Sequence, residues 1–174
     1  MKDIEVKGCC TGLEYFQGRW IMGYWYRQPK VEIRSEEGDI LHTLTTNSSG
    51  DDLFEKPAYI RVDNTTDSHR ILVSDCGKKT VYMLGSELQL LKAFTRLLSG
   101  EPRGLAAVGK GQVLVADEAT MKLQLLDVRT GQWRTVLGCE ELQLMPYSLV
   151  YNPATRCLCV GGNGDEVRMY TLSK

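Results

Sequence analysis

A chain of 174 residues with 43% hydrophobic and 25% charged side chains has an ordinary globular composition, enough to bury a core. Its formal net charge of −1 argues against a general polyanion binder, because nonspecific nucleic-acid affinity needs many basic phosphate contacts. No run approaches the ~18–20 apolar residues of a membrane span. The opening MKDIEVKGCCTGLEY has no apolar h-region, so a cytoplasmic chain is expected, with Cys9, Cys10, Cys76, Cys139, Cys157 and Cys159 as reduced thiols.

Strand-like alternation begins with the short stretch Asp3-Ile4-Glu5-Val6 and then falls into four copies of one cadence. The first, over residues 7–46, opens at Thr11-Gly12-Leu13 and continues through GRWIMGYW from Gly18. Val31-Glu32-Ile33-Arg34 follows as a third strand and Asp39 to Leu44 as a fourth. SSGDD from Ser48 reads as a loop. The second copy, 53–95, contains PAYIRVDNTTDSHRILVSDCGKKTVYML from Pro57, with an outer strand through about Phe94. The third, 99–138, contains PRGLAAVGKGQVLVADEATMKLQLLDV from Pro102. The fourth, 142–174, contains PYSLVYNPATRCLCVGGNGDEVRMYTL from Pro146 and stops after its third strand.

The starts at Pro57, Pro102 and Pro146 fall 45 and 44 residues apart. A period of about 40–50 residues built from short strands marks β-propeller blades, which cannot bury their faces alone and must stack on neighbours. The expectation is one all-β domain over 1–174, a propeller of four blades. It is either closed by a strand at 3–6 pairing with the last blade, or it is part of a larger propeller.

The stretches VSDCGKKTVYML at Val73 and VADEATMKLQLL at Val115, with Pro-x-x-(Leu/Ile) openings at Pro57, Pro102 and Pro146, resemble NHL repeats. Asp75 and Asp117 sit where a carboxylate can accept hydrogen bonds from the turn's own amides, a structural role. Copy one departs from the pattern with Tyr24-Trp25-Tyr26 and copy four with Gly161-Gly162; the family's basic turn residues appear only as Lys78, Lys79 and Lys122. The resemblance implies a propeller like the C-terminal one of tripartite-motif proteins, where ring closure usually takes six blades. It thus implies protein-substrate recognition as in ubiquitin-ligase-like proteins, or alternatively RNA binding on a basic rim. Ligase activity is not carried over, because no Cys/His set has zinc-finger spacing.

The residues themselves point away from catalysis. No G-x-S-x-G nucleophile signature is present, and His42 and His69 lie in different copies. Cys157 and Cys159, two apart on a strand, read as core; Cys76 follows Asp75 in an exposed turn. A metal-dependent propeller hydrolase would draw on Asp63, Asn64, Asp75, Asp117, Asn152 and Asn163, but most of these are explained by turns. No cofactor or metal is expected. The strongest binding signal is Trp25-Tyr26-Arg27 with Lys30, since Trp, Tyr and Arg dominate interface hot spots; Trp20 and Tyr24 read as filling the gap between blades. Lys78, Lys79 and Lys122 join these as partner-binding candidates on one loop rim, where mixed charge favours a protein partner.

Overall fold

The computed structural model describes residues 5–65, 69–95 and 100–172. They form four antiparallel sheets in chain order. Blade 1 holds β1 (Cys10–Phe16), β2 (Arg19–Tyr24), β3 (Lys30–Ser35) and β4 (Ile40–Leu44). Blade 2 holds β5 (Pro57–Asp63), β6 (Arg70–Asp75), β7 (Thr80–Leu84) and β8 (Leu90–Thr95). Blade 3 holds β9 (Pro102–Gly109), β10 (Gln112–Asp117), β11 (Lys122–Asp127) and β12 (Trp133–Leu137). Blade 4 holds β13 (Pro146–Asn152), β14 (Cys157–Gly162) and β15 (Val167–Thr171), with no fourth strand among the described residues. Within each blade the strands pair in sequence order, so each connection is a hairpin.

Local chemistry sets the turns. Gln17-Gly18 and Lys110-Gly111 place two successive residues at positive φ, the backbone that two-residue hairpins require to match strand twist. The registers of the first two strands superimpose the blades: Cys10 pairs with Tyr24, Pro57 with Asp75, Pro102 with Asp117 and Pro146 with Gly162. A bulge follows at the same place in each, which bends the inner strand locally and increases its twist.

Three apolar clusters fill the three blade interfaces. Ile21, Val31 and Ile33 of blade 1 pack on Ile60, Val73 and Leu84 of blade 2. Leu72, Val81 and Phe94 of blade 2 meet Val113, Val115 and Leu126 of blade 3. Leu114, Ala116 and Leu125 of blade 3 meet Leu149, Leu158 and Val160 of blade 4. Period-2 alternation therefore gives every blade a leading face toward the next blade and a trailing face toward the previous one. Close approach needs small residues: a Cβ on Gly104 would lie 2.8 Å from the Leu149 amide nitrogen and 2.9 Å from the Tyr147 carbonyl oxygen. A short helix absent from the sequence reading, α1 (Cys139–Leu142), carries Leu142 into the cluster between blades 3 and 4.

Inner strands pack in series, β1 on β5, β5 on β9 and β9 on β13, but β13 is not packed on β1 in the same way. The blades make an arc. Of the expected closing strand at 3–6, residues 3 and 4 lie outside the described residues, and Glu5 and Val6 are not in a strand.

Candidate functional site

The connection from second to third strand in each blade, and the segment entering each inner strand, share one rim of the arc. Trp25, Tyr26 and Arg27 occupy that connection in blade 1, Lys78 and Lys79 in blade 2, and Lys122 opens the third strand of blade 3. All seven candidate residues, Lys30 included, belong to this rim. Lys79 and Met121 adopt positive φ immediately before the third strand of blades 2 and 3, whereas the turn of blade 1 is one residue longer and has its positive φ at Arg27.

Two constellations form there. In the first, Trp25 is 40% and Tyr26 62% exposed. The Trp25 indole Nε1 donates to Cys9 Sγ at 3.0 Å, and Lys56 Nζ lies 5.7 Å from the Trp25 ring centroid. The Arg27 guanidinium stands 5.6 Å over Tyr26. Beside them runs an open groove of about 400 Å³, lined by Gly8, Cys9, Tyr24, Tyr26, Arg27 and Lys30. Lys30 differs from the other candidates. Its Nζ is 2.5 Å from Glu32 Oε1 and 5.0 Å from the Tyr24 ring, so it is held inward. Burial first, then the nearby Glu32 charge, pushes the Tyr24 hydroxyl up to about 12.

The second constellation surrounds Arg103. Its guanidinium lies 4.9 Å over Tyr147, donates from Nε to Glu118 Oε2 at 2.5 Å, and reaches Glu101 at 3.6 Å. Its Nη1 donates to Cys76 Sγ at 3.4 Å, and Tyr59 meets Tyr147 edge-on at 6.5 Å. The sequence reading missed Tyr59 and Tyr147. For Tyr147 the available signal was the position after the repeat's proline, which it shares with Ala58 and Arg103 at the bulge of each inner strand; Tyr59, one residue further on, carries no such mark. Cys76 is buried rather than exposed, and burial pushes its thiol upward despite Arg103 beside it.

Asp75 and Asp117 underlie the rim. Asp75 accepts the amides of Glu55 at 2.7 Å and of Lys56 and Lys78 at 2.9 Å. Asp117 accepts Glu101 N at 3.1 Å and Thr120 N at 3.3 Å. Each buried carboxylate binds both its own turn and the segment entering its blade.

The oxygen donors considered for a metal do not converge. Asp63, Asn64 and Asn152 belong to first-to-second-strand turns on the opposite rim, where Asp63 accepts Thr65 and Asn152 accepts the Ala154 amide. Among the described residues no three His, Cys, Asp or Glu side chains group to hold an ion. Two other expectations change. Trp20 and Tyr24 lie on the trailing face of blade 1, not between blades, because β2 turns Ile21 and Gly23 toward blade 2; Trp20 stacks on Tyr15 at 4.6 Å. Cys157 and Cys159 do share one face, but it is the leading face of blade 4, which no blade covers, so both are only half-buried.

No protein-family model matches the chain, and no curated protein matches it in sequence. Solved structures do match. The computationally designed Ika4 protein is 13% identical, over 98% of this chain and 96% of that one, with a TM-score of 0.69. The WD40 repeats of RRP9 are 15% identical, over 97% of this chain and 49% of that one, with a TM-score of 0.73. The WD40 beta propeller domain of Doa1 is 18% identical, over 92% and 52%, with a TM-score of 0.59. The chain has a β-propeller fold. It spans about half the length of these WD40 structures, and at such identities the likeness carries the fold alone. The RRP9 and Doa1 neighbours are of WD40 type, whereas the turn motifs resemble NHL repeats.

Proposed function

We propose that this chain is a non-catalytic interaction module that holds a protein partner on the rim of second-to-third-strand turns. The finer reading follows the NHL-like turns: a substrate-recognition propeller of a ubiquitin-ligase-like protein, acting in the cytoplasm. One observation carries the partner class. Trp25, Tyr26 and Arg27 stand exposed beside an open groove, a cluster of the residue types that anchor protein interfaces. Two of the rim's other cations are paired: Arg103 faces Glu118 and Glu101, and Lys30 faces Glu32. Mixed charge of this kind suits a polar protein surface better than a phosphate backbone.

A photo-crosslinking side chain at Tyr26 tests this, with the same group at Asn152 on the opposite rim as control. The expected result is one protein adduct specific to Tyr26, with partner affinity falling at least about tenfold in Trp25→Ala or Arg27→Ala at unchanged melting temperature. Adducts to RNA alone, or the same adducts from both rims, would overturn the reading.

A further inference from the structure

The leading face of blade 4 is built like the three leading faces that receive a neighbour, yet among the described residues no blade sits on it. The registers place Val167 at the position of Val31, Val81 and Leu123, opposite Gly161, Gly23, Ser74 and Ala116 respectively. Met169 occupies the position of Ile33, Met83 and Leu125. All six counterparts are buried, whereas Val167 is 70% and Met169 69% exposed. Val150, 59% exposed, pairs with Cys159, which pairs with Met169, making an apolar row across all three strands. The seat is prepared too. Gly23 and Ser74 receive the backbone of Pro57 and Arg103 from the next inner strand. At Gly161, among the described residues, only Ser148 of the same blade approaches.

The other end of the arc offers the matching surface. Leu13 holds the trailing-face position of Ile60, Leu105 and Leu149; these three are buried while Leu13 is 57% exposed, with Tyr15 beside it also exposed. β13 does not pack on β1 as the other inner strands pack on one another, which leaves Leu13 and Tyr15 exposed, while Met22, Tyr24, Glu32 and Arg34 further along the same face are buried.

We propose that blade 4 of one copy seats its leading face on the trailing face of blade 1 of a second copy, and reciprocally, so that two arcs close into one eight-bladed ring. Among the described residues, blade 1 is the blade whose inner strand, at Leu13 and Tyr15, has no preceding blade on its trailing side. The arc aligns with about half the length of the WD40 propellers, so two such arcs complete a turn. Charge permits the contact: Ser148, Val150, Cys159, Val167 and Met169 carry none, and Glu32 on blade 1 is already neutralised by Lys30 and Arg34. Size permits it as well. A sheet face of three to four strands about 4.8 Å apart has a footprint of roughly 250 Å². The four faces of the closed pair therefore bury roughly 1,000 Å² or more, where specific interfaces begin. Twofold closure also removes the exposed hydrophobic face that would otherwise promote aggregation.

Sedimentation equilibrium of the whole chain, with Leu13→Glu and Val167→Glu, decides it. Wild type is expected at twice the 19.6 kDa chain mass, and each variant at the monomer mass with its melting transition retained. Mixing the two variants should restore a weak one-to-one pair through the single intact seam, at least about tenfold weaker than wild type. Should either variant unfold, a short bismaleimide joining Leu13→Cys of one isotopically labelled copy to Cys159 of an unlabelled copy provides the same evidence. Monomeric wild type at ~100 µM, a dimer untouched by Leu13→Glu, open-ended polymers, or no crosslink between copies would each overturn the proposal.

Discussion

Asp75 Oδ2 accepts the amide of Glu55 at 2.7 Å, from a residue twenty positions earlier, while Oδ1 takes Lys56 and Lys78. One buried carboxylate thus ties the entry to blade 2 to its rim turn. Removing it strands three amides in a site closed to water. Asp75→Ala and Asp117→Ala should each cost about 2–3 kcal/mol, as read from urea unfolding midpoints. Equal, negligible losses would remove both residues from the account of stability. Lys56 also flanks Trp25, so Asp75→Ala should disturb the rim before the molecule unfolds.

Blade packing makes a second demand, on space. A methyl group at Gly104 would press on the backbone of Tyr147, Ser148 and Leu149, none of which can swing away as a side chain end would. Gly104→Ala is expected to destabilise by about 2 kcal/mol, with hydrogen exchange accelerating first along β9 and β13. Exchange unchanged in those strands would show that the blades can separate slightly at no cost.

Acid should expose the ion cluster on blade 1. Burial raises the Glu32 carboxyl, but hydrogen bonds and charge from Lys30 and Arg34 outweigh it and hold the group below its ordinary 4.5. A carboxylate depressed in the folded state stabilises fully above its unfolded pKa and loses that contribution as pH falls below it. Asp127, held near about 2 by Arg129 and by turn amides, behaves likewise and is lost lower still. Glu32→Gln leaves Asp127 intact. The melting-temperature gap between wild type and Glu32→Gln should therefore shrink between about pH 6 and about pH 3. A gap independent of pH would assign Glu32 a packing role instead.

The thiols should separate by burial. Cys76 is buried, donates toward the Lys56 carbonyl at 3.7 Å and has its pKa raised. Cys9 and Cys139 are exposed. Iodoacetamide at mild alkaline pH should modify Cys9 and Cys139 at least about tenfold faster than Cys76, followed by peptide mass spectrometry. Rapid alkylation of Cys76 would mean that the Arg103 guanidinium, which favours the thiolate, outweighs desolvation.

Much of this architecture is legible in the chain itself. The 44- to 45-residue spacing of Pro57, Pro102 and Pro146 announces blades, alternation announces strands, and Asp75 and Asp117 mark where second strands end, because each of these depends only on near neighbours in sequence. What alternation cannot say is which face meets another blade. Cys159 and Met169 look like core beside Leu114 and Leu125, and Tyr24 like an inter-blade filler, since identical patterns are written for every blade. Their surroundings depend on place in the arc. A blade in the middle has both faces covered, while among the described residues blade 4 leaves Val150, Val167 and Met169 exposed and blade 1 leaves Leu13 and Tyr15 exposed, and only the tertiary structure decides which. The Arg103–Tyr147–Glu118 cluster is tertiary for the same reason: it joins residues from two blades beside the bulges of their inner strands.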